Sequence, residues 1–310
     1  MFVAVKPFLV VNPASAGGRT GRHFDAIARA VRAAVGDFEC AFTRARGDGV
    51  RLAREAVASG GDFVVAVGGD GTASEVIDGL ANGHRDPGVL FGYIPRGTGG
   101  DLRRTIQVPA DVEGAARVLA GSGTALIDLG RVELVGSDGR PAVRHFANVA
   151  GCGISGVVVQ EVQRSPGFLG GRLAFKLAAL RALLRYSDRP VRWRVDGGPW
   201  TEQRVTAISA CNGRFFAGGM MVAPDARMDD ALFDIVVWSG LGLSDFVTKQ
   251  RMLYGGTHVQ LPNTRGVRAR VLEVEPTGDV PVLLDVDGEQ PGMLPARFEI
   301  LPRALRVRVA

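Results

Sequence analysis

Residues 63–80 constrain the fold of this chain more strongly than any other stretch. The first five of these residues are apolar and rich in valine, a pattern typical of a strand that is buried on both faces. Three glycines among the next four residues permit a tight turn, because glycine has no Cβ atom. Apolar residues then recur at helical spacing from Ala73 to Leu80, so the stretch predicts a strand, a turn and a helix.

The predicted turn has the character of an anion-binding site. Backbone N–H groups at a helix start point toward the turn, and we expect Glu75 in the first helical turn, where a carboxylate is favourable. The stretch lacks the Gly-Lys-Ser/Thr ending of a P-loop and the Gly-x-Gly-x-x-Gly spacing of a dinucleotide fold. It carries Asp70 instead, and an acid beside bound phosphates needs a cation or a proton between them. A tight connection without a ligand is the alternative interpretation.

The composition agrees with a globular protein of about two domains, since the 310 residues are 46% hydrophobic and 22% charged. No run approaches the ~20 consecutive apolar residues of a transmembrane helix, and the N-terminus does not have the pattern of a secretory signal. The three cysteines are widely spaced, which disfavours a disulfide framework and a zinc site. We therefore expect a cytoplasmic protein, whose net charge of +5 favours anionic partners such as nucleotides and acidic lipids.

Two further strand ends carry loops of similar character. Residues 8–11 are a short strand candidate, followed over residues 12–22 by amide, hydroxyl and glycine residues; a side-chain-capped connection is the alternative there. Residues 89–94 are another strand candidate, followed over residues 95–101 by a glycine-rich loop. Strands that alternate with helices predict a parallel sheet with helices on both faces. Ligands of such sheets bind beyond the carboxyl ends of the strands, so we expect these loops to share one site.

The periodicity changes beyond a flexible break at residues 121–124. Residues 125–135 and 143–150 flank a Ser-Asp-Gly turn and alternate in polarity, as the two strands of a hairpin do. We therefore expect an α/β domain over residues 1–124 and a mainly antiparallel β domain over residues 125–291.

Three loops of the chain carry the motifs Asn12-Pro13-Ala14-Ser15, Gly68-Gly69-Asp70-Gly71-Thr72 with Glu75, and Pro95-Arg96-Gly97-Thr98-Gly99-Gly100-Asp101. Together they resemble the signatures of the diacylglycerol kinase catalytic-domain superfamily, which includes bacterial lipid kinases and the sphingosine and ceramide kinases. Their order and spacing match, and the resemblance extends over nearly the whole chain. The Gly-Gly-Asp-Gly element also occurs in NAD kinases and phosphofructokinases, so it is the combination of the three motifs that is specific to this superfamily. Family members usually have glycine where Ala16 stands and asparagine where Gly100 stands.

The resemblance implies that the first domain binds ATP, that a cleft separates it from the β domain, and that residues 292–310 pack back on the first domain. It also implies that Asp70 bears on a catalytic Mg²⁺ and on the transferring phosphoryl group. The residues expected to bind the nucleotide are Asn12, Pro13, Ala14, Ser15, Ala16, Thr43, Gly68, Gly69, Asp70, Gly71, Thr72, Glu75 and Thr98.

Residues 283–290 form a strand that ends in an acidic turn, which composition alone would make an ordinary surface turn. The matching Asp-Gly-Glu of the resembled family supplies the catalytic base. We therefore expect Glu289 to accept the proton of the substrate hydroxyl, with Asp287 as its partner or rival.

A second acidic turn precedes the strand candidate that begins near Phe233. Asp229 and Asp230 in this turn can make an Asx turn. The resemblance implies a structural Mg²⁺ here, held by Asp230 and by the carbonyl oxygens of Arg227 and Leu232. The glycine usual in the family is Ala231 in this chain.

The predicted function is ATP-dependent phosphorylation of a lipid hydroxyl, with diacylglycerol expected first and a sphingoid base or ceramide as alternatives. A soluble-substrate kinase of the NAD kinase type and a non-catalytic nucleotide or lipid sensor also stay open. We expect a lipid partner at a membrane surface, peripheral association and no nucleic acid, and a homodimer stays open.

An apolar, basic-edged helix predicted over residues 168–186 has two interpretations. Its four cationic side chains favour either contact with anionic lipid headgroups or a solvated face of a helix that packs on the β domain. These side chains are Arg172, Lys176, Arg181 and Arg185.

Overall fold

The computed structural model describes residues 6–81, 88–164 and 171–310. The chain divides into unit 1, Met1–Asp128 with Pro302–Ala310, and unit 2, Leu129–Leu301. Residues 168–170, the start of the predicted apolar helix, lie outside the described residues. In the part of the chain that is described, no helix is both long and apolar enough to cross a membrane.

Unit 1 contains a parallel sheet with the strand order β2-β1-β3-β4-β15. Its strands are β1 (Phe8–Val11), β2 (Glu39–Phe42), β3 (Phe63–Gly68), β4 (Leu90–Pro95) and the last part of β15 (Gly292–Arg308). Its helices are α1 (Arg19–Arg22), α2 (Phe24–Val35), α3 (Asp48–Ala58), α4 (Asp70–Ala81), α5 (Asp101–Thr105) and α6 (Val112–Ala120). The predicted α/β domain with a parallel sheet is confirmed.

The centre of this sheet is buried because helices cover both of its faces. Every residue of β3 and β4 is buried, as the valine-rich run predicts. Helices α3 and α4 pack on each other, and so do α2 and α6. Helix α4 begins at Asp70, earlier than the pattern indicates, so Glu75 lies in its second turn. The prediction that Glu75 lies in the first turn is wrong, because Asp70 itself is already helical.

Unit 2 is mainly antiparallel, as predicted. One of its sheets has the order β12-β11-β10-β7-β14, and every neighbouring pair is antiparallel. Its strands are β5 (Thr124–Gly136, shared with unit 1), β6 (Pro141–Phe146), β7 (Val149–Gly153), β8 (Arg189–Val195), β9 (Thr201–Val205), β10 (Ala207–Cys211), β11 (Phe233–Trp238), β12 (Thr264–Ala269), β13 (Val271–Pro276), β14 (Leu284–Val286) and the first part of β15. Its helices are α7 (Ile154–Arg164), α8 (Gly171–Arg185) and α9 (Leu243–Gly255), followed by a 3-10 turn (Thr257–Gln260).

The two faces of the β12-β11-β10-β7-β14 sheet have different partners, because successive side chains of a strand point to opposite faces. On the inner face, Ile208 and Leu284 join a core with residues of β8, β13 and β15. On the outer face, Ala207 and Trp238 join a smaller cluster. Helices α7 and α8 pack on each other through a further cluster that includes Val158. Residues of the outer face, including Ala207 and Trp238, line a cavity of unit 2.

Candidate functional site

The loop after β1 is tied to the start of α4 through Asn12. Its backbone N–H donates to Val67 O at 2.9 Å, and its side-chain Nδ2 donates to Thr72 Oγ1 at 3.0 Å. Its Oδ1 accepts from the N–H of Ala14 at 3.0 Å. Asn12 thus uses both ends of its side-chain amide to hold the loops after β1 and β3 side by side.

Hydroxyl groups and an unusual backbone shape the rest of this loop. Ser15 Oγ donates to Asn12 O at 2.9 Å and lies 2.6 Å from Thr20 Oγ1. Ala16 has a φ of 53°, and Gly17 continues in the same left-handed region with a φ of 67°. Ala16 stands where the resembled family has glycine, and its Cβ costs about 1 kcal/mol in this conformation.

Asp70 joins the turn after β3 to the loop after β4. Its Oδ2 accepts from the N–H of Gly100 at 2.6 Å, and its Oδ1 accepts from the N–H of Leu102 at 3.3 Å. Gly100 has a φ of 69°, a region that glycine enters freely and asparagine more easily than most residues. The exchange of asparagine for glycine at this position therefore keeps the backbone conformation.

The same two turns touch directly. A Cβ atom on Gly97 would lie 2.6 Å from Gly69 Cα, and one on Gly99 would lie 2.6 Å from Asp70 Oδ2. The backbone of the turn after β3 leaves no room for a side chain at position 97, and a Cβ atom at position 99 would displace the Asp70 carboxylate. The three glycine-containing loops after β1, β3 and β4 therefore meet at one edge of the sheet of unit 1.

Glu75 is directed to a different neighbour. Its Oε1 accepts from the N–H of Gly47 and its Oε2 from the N–H of Gly49, each at 2.8 Å. The carboxylate therefore caps the start of α3. Thr43 follows β2 and donates its N–H to Val11 O at 2.9 Å, whereas Thr98 is exposed in the loop after β4.

Arg104 is a residue of this edge that the sequence analysis does not identify. Its Nη1 donates to Gly99 O at 2.6 Å and pairs with Asp101 Oδ1 at 2.9 Å. The spacing of Asp101 and Arg104 on a short helix was the available signal, because residues three apart on a helix are neighbours. Arg104 and Asp101 therefore hold the same loop that Asp70 holds through the N–H of Gly100.

In unit 2, the acidic turn after β14 is fastened by Asp287. Its Oδ2 accepts from the N–H of Ala147 at 3.0 Å, and its Oδ1 accepts from the N–H groups of Asn148 at 3.1 Å and Val149 at 2.9 Å. Asp287 adopts a left-handed φ of 48° to reach them. The segment that it holds is further fixed by Asn212, whose Nδ2 donates to Ala147 O at 2.7 Å.

Two other carboxylates flank Asp287. The half-buried Glu289 follows it in the turn, and its N–H donates to Val286 O at 2.9 Å. Asp285 Oδ1 accepts from the N–H of Gly288 at 2.9 Å. Burial, opposed in part by that hydrogen bond and reinforced by the charges of Asp287 and Glu289, raises the pKa of Asp285 to about 7. The sequence analysis does not single out Asp285, because an acid on a strand just before a turn is typical of a surface residue.

The predicted metal turn before β11 is also acidic. Asp230 Oδ1 accepts from the N–H of Leu232 at 3.2 Å, and Asp230 Oδ2 pairs with Arg268. Ala231 has a φ of 60°, the conformation for which the resembled family uses glycine. Desolvation chiefly raises the pKa of Asp234, with Asp230 and Asp225 adding to it and Arg268 opposing it.

The oxygen-rich chemistry of this turn fits Mg²⁺, which prefers carboxylate and carbonyl oxygens. Within residues 6–81, 88–164 and 171–310, no group of three or more His, Cys, Asp and Glu side chains is arranged to hold a metal ion. A metal at this turn would therefore depend on the carbonyl oxygens of Arg227 and Leu232 beside Asp230.

Unit 2 also contains a cavity of about 150 Å³. This is room for roughly ten waters, at the 10–15 Å³ that one water needs. Its walls come from the outer face of the β12-β11-β10-β7-β14 sheet and from helices α7, α8 and α9, and most of the residues are apolar. They include Val158, Leu183, Trp238 and Leu253. The polar residues of the lining are Ser155, Thr206, Ser209, Asp245, Lys249, His258, Thr264 and Asp285.

Comparisons with known proteins agree with this architecture. A model of the diacylglycerol kinase catalytic domain matches residues 6–132, and a model of the YegS C-terminal NAD kinase beta sandwich-like domain matches residues 148–309. A Xanthomonas oryzae protein named "Probable lipid kinase YegS-like" is 32% identical over 265 residues, 85% of this chain and 84% of its own length. The chain belongs to the diacylglycerol kinase family.

Further relatives place this member of the family among kinases. A Mycobacterium tuberculosis protein named "Diacylglycerol kinase" is 30% identical over 261 residues, 84% of this chain and 81% of its own length. The crystal structure of a diacylglycerol kinase from Bacillus anthracis has the same fold, with a TM-score of 0.71 at 22% identity over 99% of this chain and 97% of that one. The family membership makes the chain an enzyme of the kinase class, as predicted.

Proposed function

We propose that this kinase transfers the terminal phosphoryl group of ATP to a hydroxyl group of a lipid, with diacylglycerol as the acceptor. The observation that carries the proposal is the meeting of three glycine-containing loops at one edge of the sheet of unit 1, joined by Asn12 and Asp70. Relatives that are similar over most of the chain are named diacylglycerol kinases in Mycobacterium tuberculosis and Bacillus subtilis.

Nucleotide binding is assigned to unit 1. The first N–H groups of α4 have no intrahelical acceptor, as at every helix start, and they suit phosphate oxygens. The loop at residues 12–16 lies beside them, because Asn12 is bonded to Thr72. Thr43 follows β2 and Thr98 follows β4, and both would bind at the rim of this region. Glu75 contributes indirectly in this proposal, since both of its oxygens hold the start of α3.

Asp70 would hold the catalytic Mg²⁺. Each of its oxygens accepts one backbone N–H, which leaves lone pairs on both of them for a cation. When bound, Mg²⁺ neutralises charge on the phosphoryl oxygens. The hydrogen bonds to Gly100 and Leu102 give the carboxylate a fixed direction, so the chain itself supplies the positioning on which phosphoryl transfer mainly depends.

Proton acceptance is assigned to Glu289 rather than to Asp287. Three backbone N–H groups already point at the Asp287 carboxylate, so a substrate hydroxyl would have to compete with them. Glu289 takes the proton as the acceptor oxygen forms its bond to phosphorus and the bond to the leaving diphosphate breaks. Asp287 then acts as a positioning residue that fixes the turn from which Glu289 extends.

The acceptor lipid is assigned to unit 2. An apolar cavity needs an apolar occupant, and an acyl chain satisfies that need. Helix α8 turns Ala178 and Ala182 inward, whereas Leu180 and Leu184 are exposed beside Arg181 and Arg185. Exposed leucines between arginines suit the interface of an anionic membrane, so we propose peripheral association of a cytoplasmic enzyme.

The turn at residues 227–232 is proposed to keep the structural Mg²⁺ of the family. Asp230 supplies a carboxylate, and the carbonyl oxygens of Arg227 and Leu232 complete the set that the chain offers. The role proposed for this ion is to hold the turn before β11, which needs no step of the reaction.

A phosphotransfer assay tests the proposal directly. Radiolabelled ATP is offered with Mg²⁺ to mixed micelles that contain diacylglycerol, a sphingoid base or ceramide, and separately to NAD. We expect labelled phosphatidic acid from diacylglycerol at a rate well above the others. Labelling of NAD alone, or of no acceptor, overturns the proposed function in favour of a soluble-substrate kinase or a non-catalytic sensor.

A vesicle assay tests the membrane step. Replacing Arg181 and Arg185 with glutamine removes two charges from the exposed face of α8 and leaves Ala178 and Ala182 in place. We expect severalfold weaker sedimentation with vesicles that contain acidic lipid, and no difference with neutral vesicles. Equal sedimentation of both proteins with acidic vesicles would assign this face to solvent alone.

A further inference from the structure

We propose that Asp285, Ser155 and Ser209 form a polar patch in the wall of the unit 2 cavity, and that this patch recognises the uncharged oxygen groups of the acceptor lipid. These groups are the hydroxyl and ester oxygens of a glycerolipid, as opposed to the ammonium group of a sphingoid base. The inference rests on the proposed function, because it takes a lipid to be the acceptor. It identifies the residues that select the headgroup of that lipid.

Strand register places two members of this patch on one face of the sheet. Asp285 on β14 lies opposite Gly151 on β7, and Gly151 lies opposite Ser209 on β10. Leu284 and Val286 point into the inner core, so Asp285 between them points to the outer face. Asp285 and Ser209 both line the cavity on that face.

Gly151 keeps the surface between these two side chains open. A Cβ atom at this position would lie 2.3 Å from Ile208 O and 3.1 Å from Ser209 Oγ. Ser209 Oγ therefore lies over the glycine, toward the strand that carries Asp285. A small polar group can rest on this glycine between the serine and the carboxyl.

The start of α7 brings the third member to the same place. Gly153 donates its N–H to Leu283 O at 3.0 Å, and a Cβ atom on Gly156 would lie 2.6 Å from Leu283 O. The first turn of α7 is thus packed on the strand segment that precedes Asp285. Ser155 lies in that turn and lines the cavity.

The patch has hydrogen-bonding capacity that the protein does not use. Ser155 Oγ is buried without a hydrogen-bond partner. Asp285 Oδ1 accepts from Gly288, and among the described residues no donor reaches its Oδ2. Buried polar atoms are nearly always paired in native proteins, so the unpaired Ser155 Oγ in the cavity wall indicates a polar group of a ligand.

The surroundings of Asp285 favour an uncharged partner. Burial, together with the charges of Asp287 and Glu289, raises its pKa to about 7, so the neutral form is readily populated. A neutral carboxyl can donate to an ester carbonyl oxygen and accept from a hydroxyl group. The two serines supply hydroxyl groups that can likewise donate and accept.

Lipid binding without turnover tests this inference. Trp238 lines the cavity, so a diacylglycerol with brominated acyl chains should quench its fluorescence. A brominated alkane of equal chain length serves as the matched ligand without oxygen. We expect Asp285→Leu to weaken diacylglycerol binding about tenfold, the equivalent of one hydrogen bond, and to leave alkane binding unchanged. Equal diacylglycerol binding by Asp285→Leu and the unmodified chain overturns the inference.

Two further variants keep the test valid should Asp285→Leu fail to fold. Asp285→Asn keeps an acceptor for Gly288 and should bind diacylglycerol within about twofold of the unmodified chain. Ser155→Ala removes a single unpaired oxygen and should weaken diacylglycerol binding severalfold. Unchanged binding by Ser155→Ala, or preferential binding of a sphingoid base by the unmodified chain, counts against the patch as described.

The kinase assay separates this inference from the proposed function. In an active enzyme, Asp285→Leu should raise KM for diacylglycerol about tenfold. If the unmodified chain phosphorylates no lipid yet binds diacylglycerol through Asp285, the proposed function fails and the patch stands. If it phosphorylates diacylglycerol and Asp285→Leu has an unchanged KM, the patch fails and the proposed function stands.

Discussion

The turn after β3 in unit 1 and the turn after β14 in unit 2 both carry acids, yet they use them differently. In unit 1, Asp70 and Glu75 each accept two backbone N–H groups from neighbouring loops. In unit 2, Asp287 accepts three, whereas Asp285 accepts one and lines an apolar cavity. Within unit 2, the number of N–H donors therefore separates Asp287, which holds backbone, from Asp285, which keeps an oxygen for a ligand.

The largest effect is expected at Glu289, the third acid of the unit 2 turn, which is proposed to accept the substrate proton. Glu289→Gln keeps the size and polarity of the side chain but removes the proton acceptor. We expect kcat for lipid phosphorylation to fall about 10³-fold, within the range that general bases contribute, while the protein stays folded. Steady-state kinetics and a thermal melt of the same preparation measure both quantities.

Glu299→Gln is the matched control for that experiment. Glu299 lies on β15 and pairs with Arg297, so it has no part in the proposed chemistry. Its variant should retain the kcat of the unmodified chain. A Glu289→Gln enzyme with more than a tenth of normal turnover would remove this residue from the mechanism.

Asp70→Asn should follow closely, with a loss of turnover of about 10²–10³-fold. The amide keeps one acceptor oxygen, but its NH₂ group cannot accept from Gly100 or Leu102 and its neutral charge weakens a cation site. Activity measured over a series of Mg²⁺ concentrations separates these two causes. Rescue at high Mg²⁺ indicates weakened cation binding, and a loss that is independent of Mg²⁺ indicates displaced loops. Turnover within twofold of normal at every Mg²⁺ concentration contradicts both roles.

Asp287→Asn should lower the stability of the folded protein more than the substitution of an exposed acid does. An asparagine cannot accept from three N–H groups, so at least one buried donor loses its partner at a cost of about 1–3 kcal/mol. The melting temperature should fall by several degrees, at about 2–4 °C for each kcal/mol. Asp279→Asn, an exposed change in the same unit, should melt with the unmodified protein. Identical melting of Asp287→Asn would leave the backbone-holding role of Asp287 without support.

The sequence predicts the strands and turns of unit 1 well because its signals are local. Valine runs, glycines and helical spacing specify β3, β4 and the loops that follow them without help from distant residues. The partners of Asp70 and Glu75 are not local, since Gly100 and Gly47 lie about 30 residues away in sequence. Sequence reasoning therefore finds these acids and misses what they hold.

Unit 2 shows the opposite balance. The alternating pattern predicts antiparallel strands, but the cavity arises from register and from which face the helices cover. Asp285, Ser155 and Ser209 are far apart in the chain and come together only through β14, β7, β10 and the start of α7. No spacing rule links them, so sequence reasoning could not bring these three residues together in one cavity.

The pH dependence of stability offers a finer test of Asp285. Its raised pKa means that the folded chain holds this proton more tightly than the unfolded chain, whose aspartate pKa is about 3.9. The contribution of Asp285 to stability should therefore decline as pH rises from about 4 to about 7 and level off above that value. Asp285→Asn removes the titration, so the variant should gain stability relative to the unmodified protein across this window. A gain that does not grow between pH 4 and pH 7, with Asp279→Asn as the reference, contradicts the assignment.

The smallest expected effect concerns the turn at residues 227–232. Adding millimolar Mg²⁺ without nucleotide should raise the melting temperature by about 3–6 °C, since a ligand at ten times its Kd contributes about 1.4 kcal/mol. Asp230→Asn should abolish this response, because it removes the one carboxylate assigned to the metal. Arg268→Gln should enlarge it, since the guanidinium that pairs with Asp230 competes with the ion for the same oxygens. An Mg²⁺ response that survives Asp230→Asn unchanged would place the ion elsewhere, and the arginine would then be the cation that holds this turn.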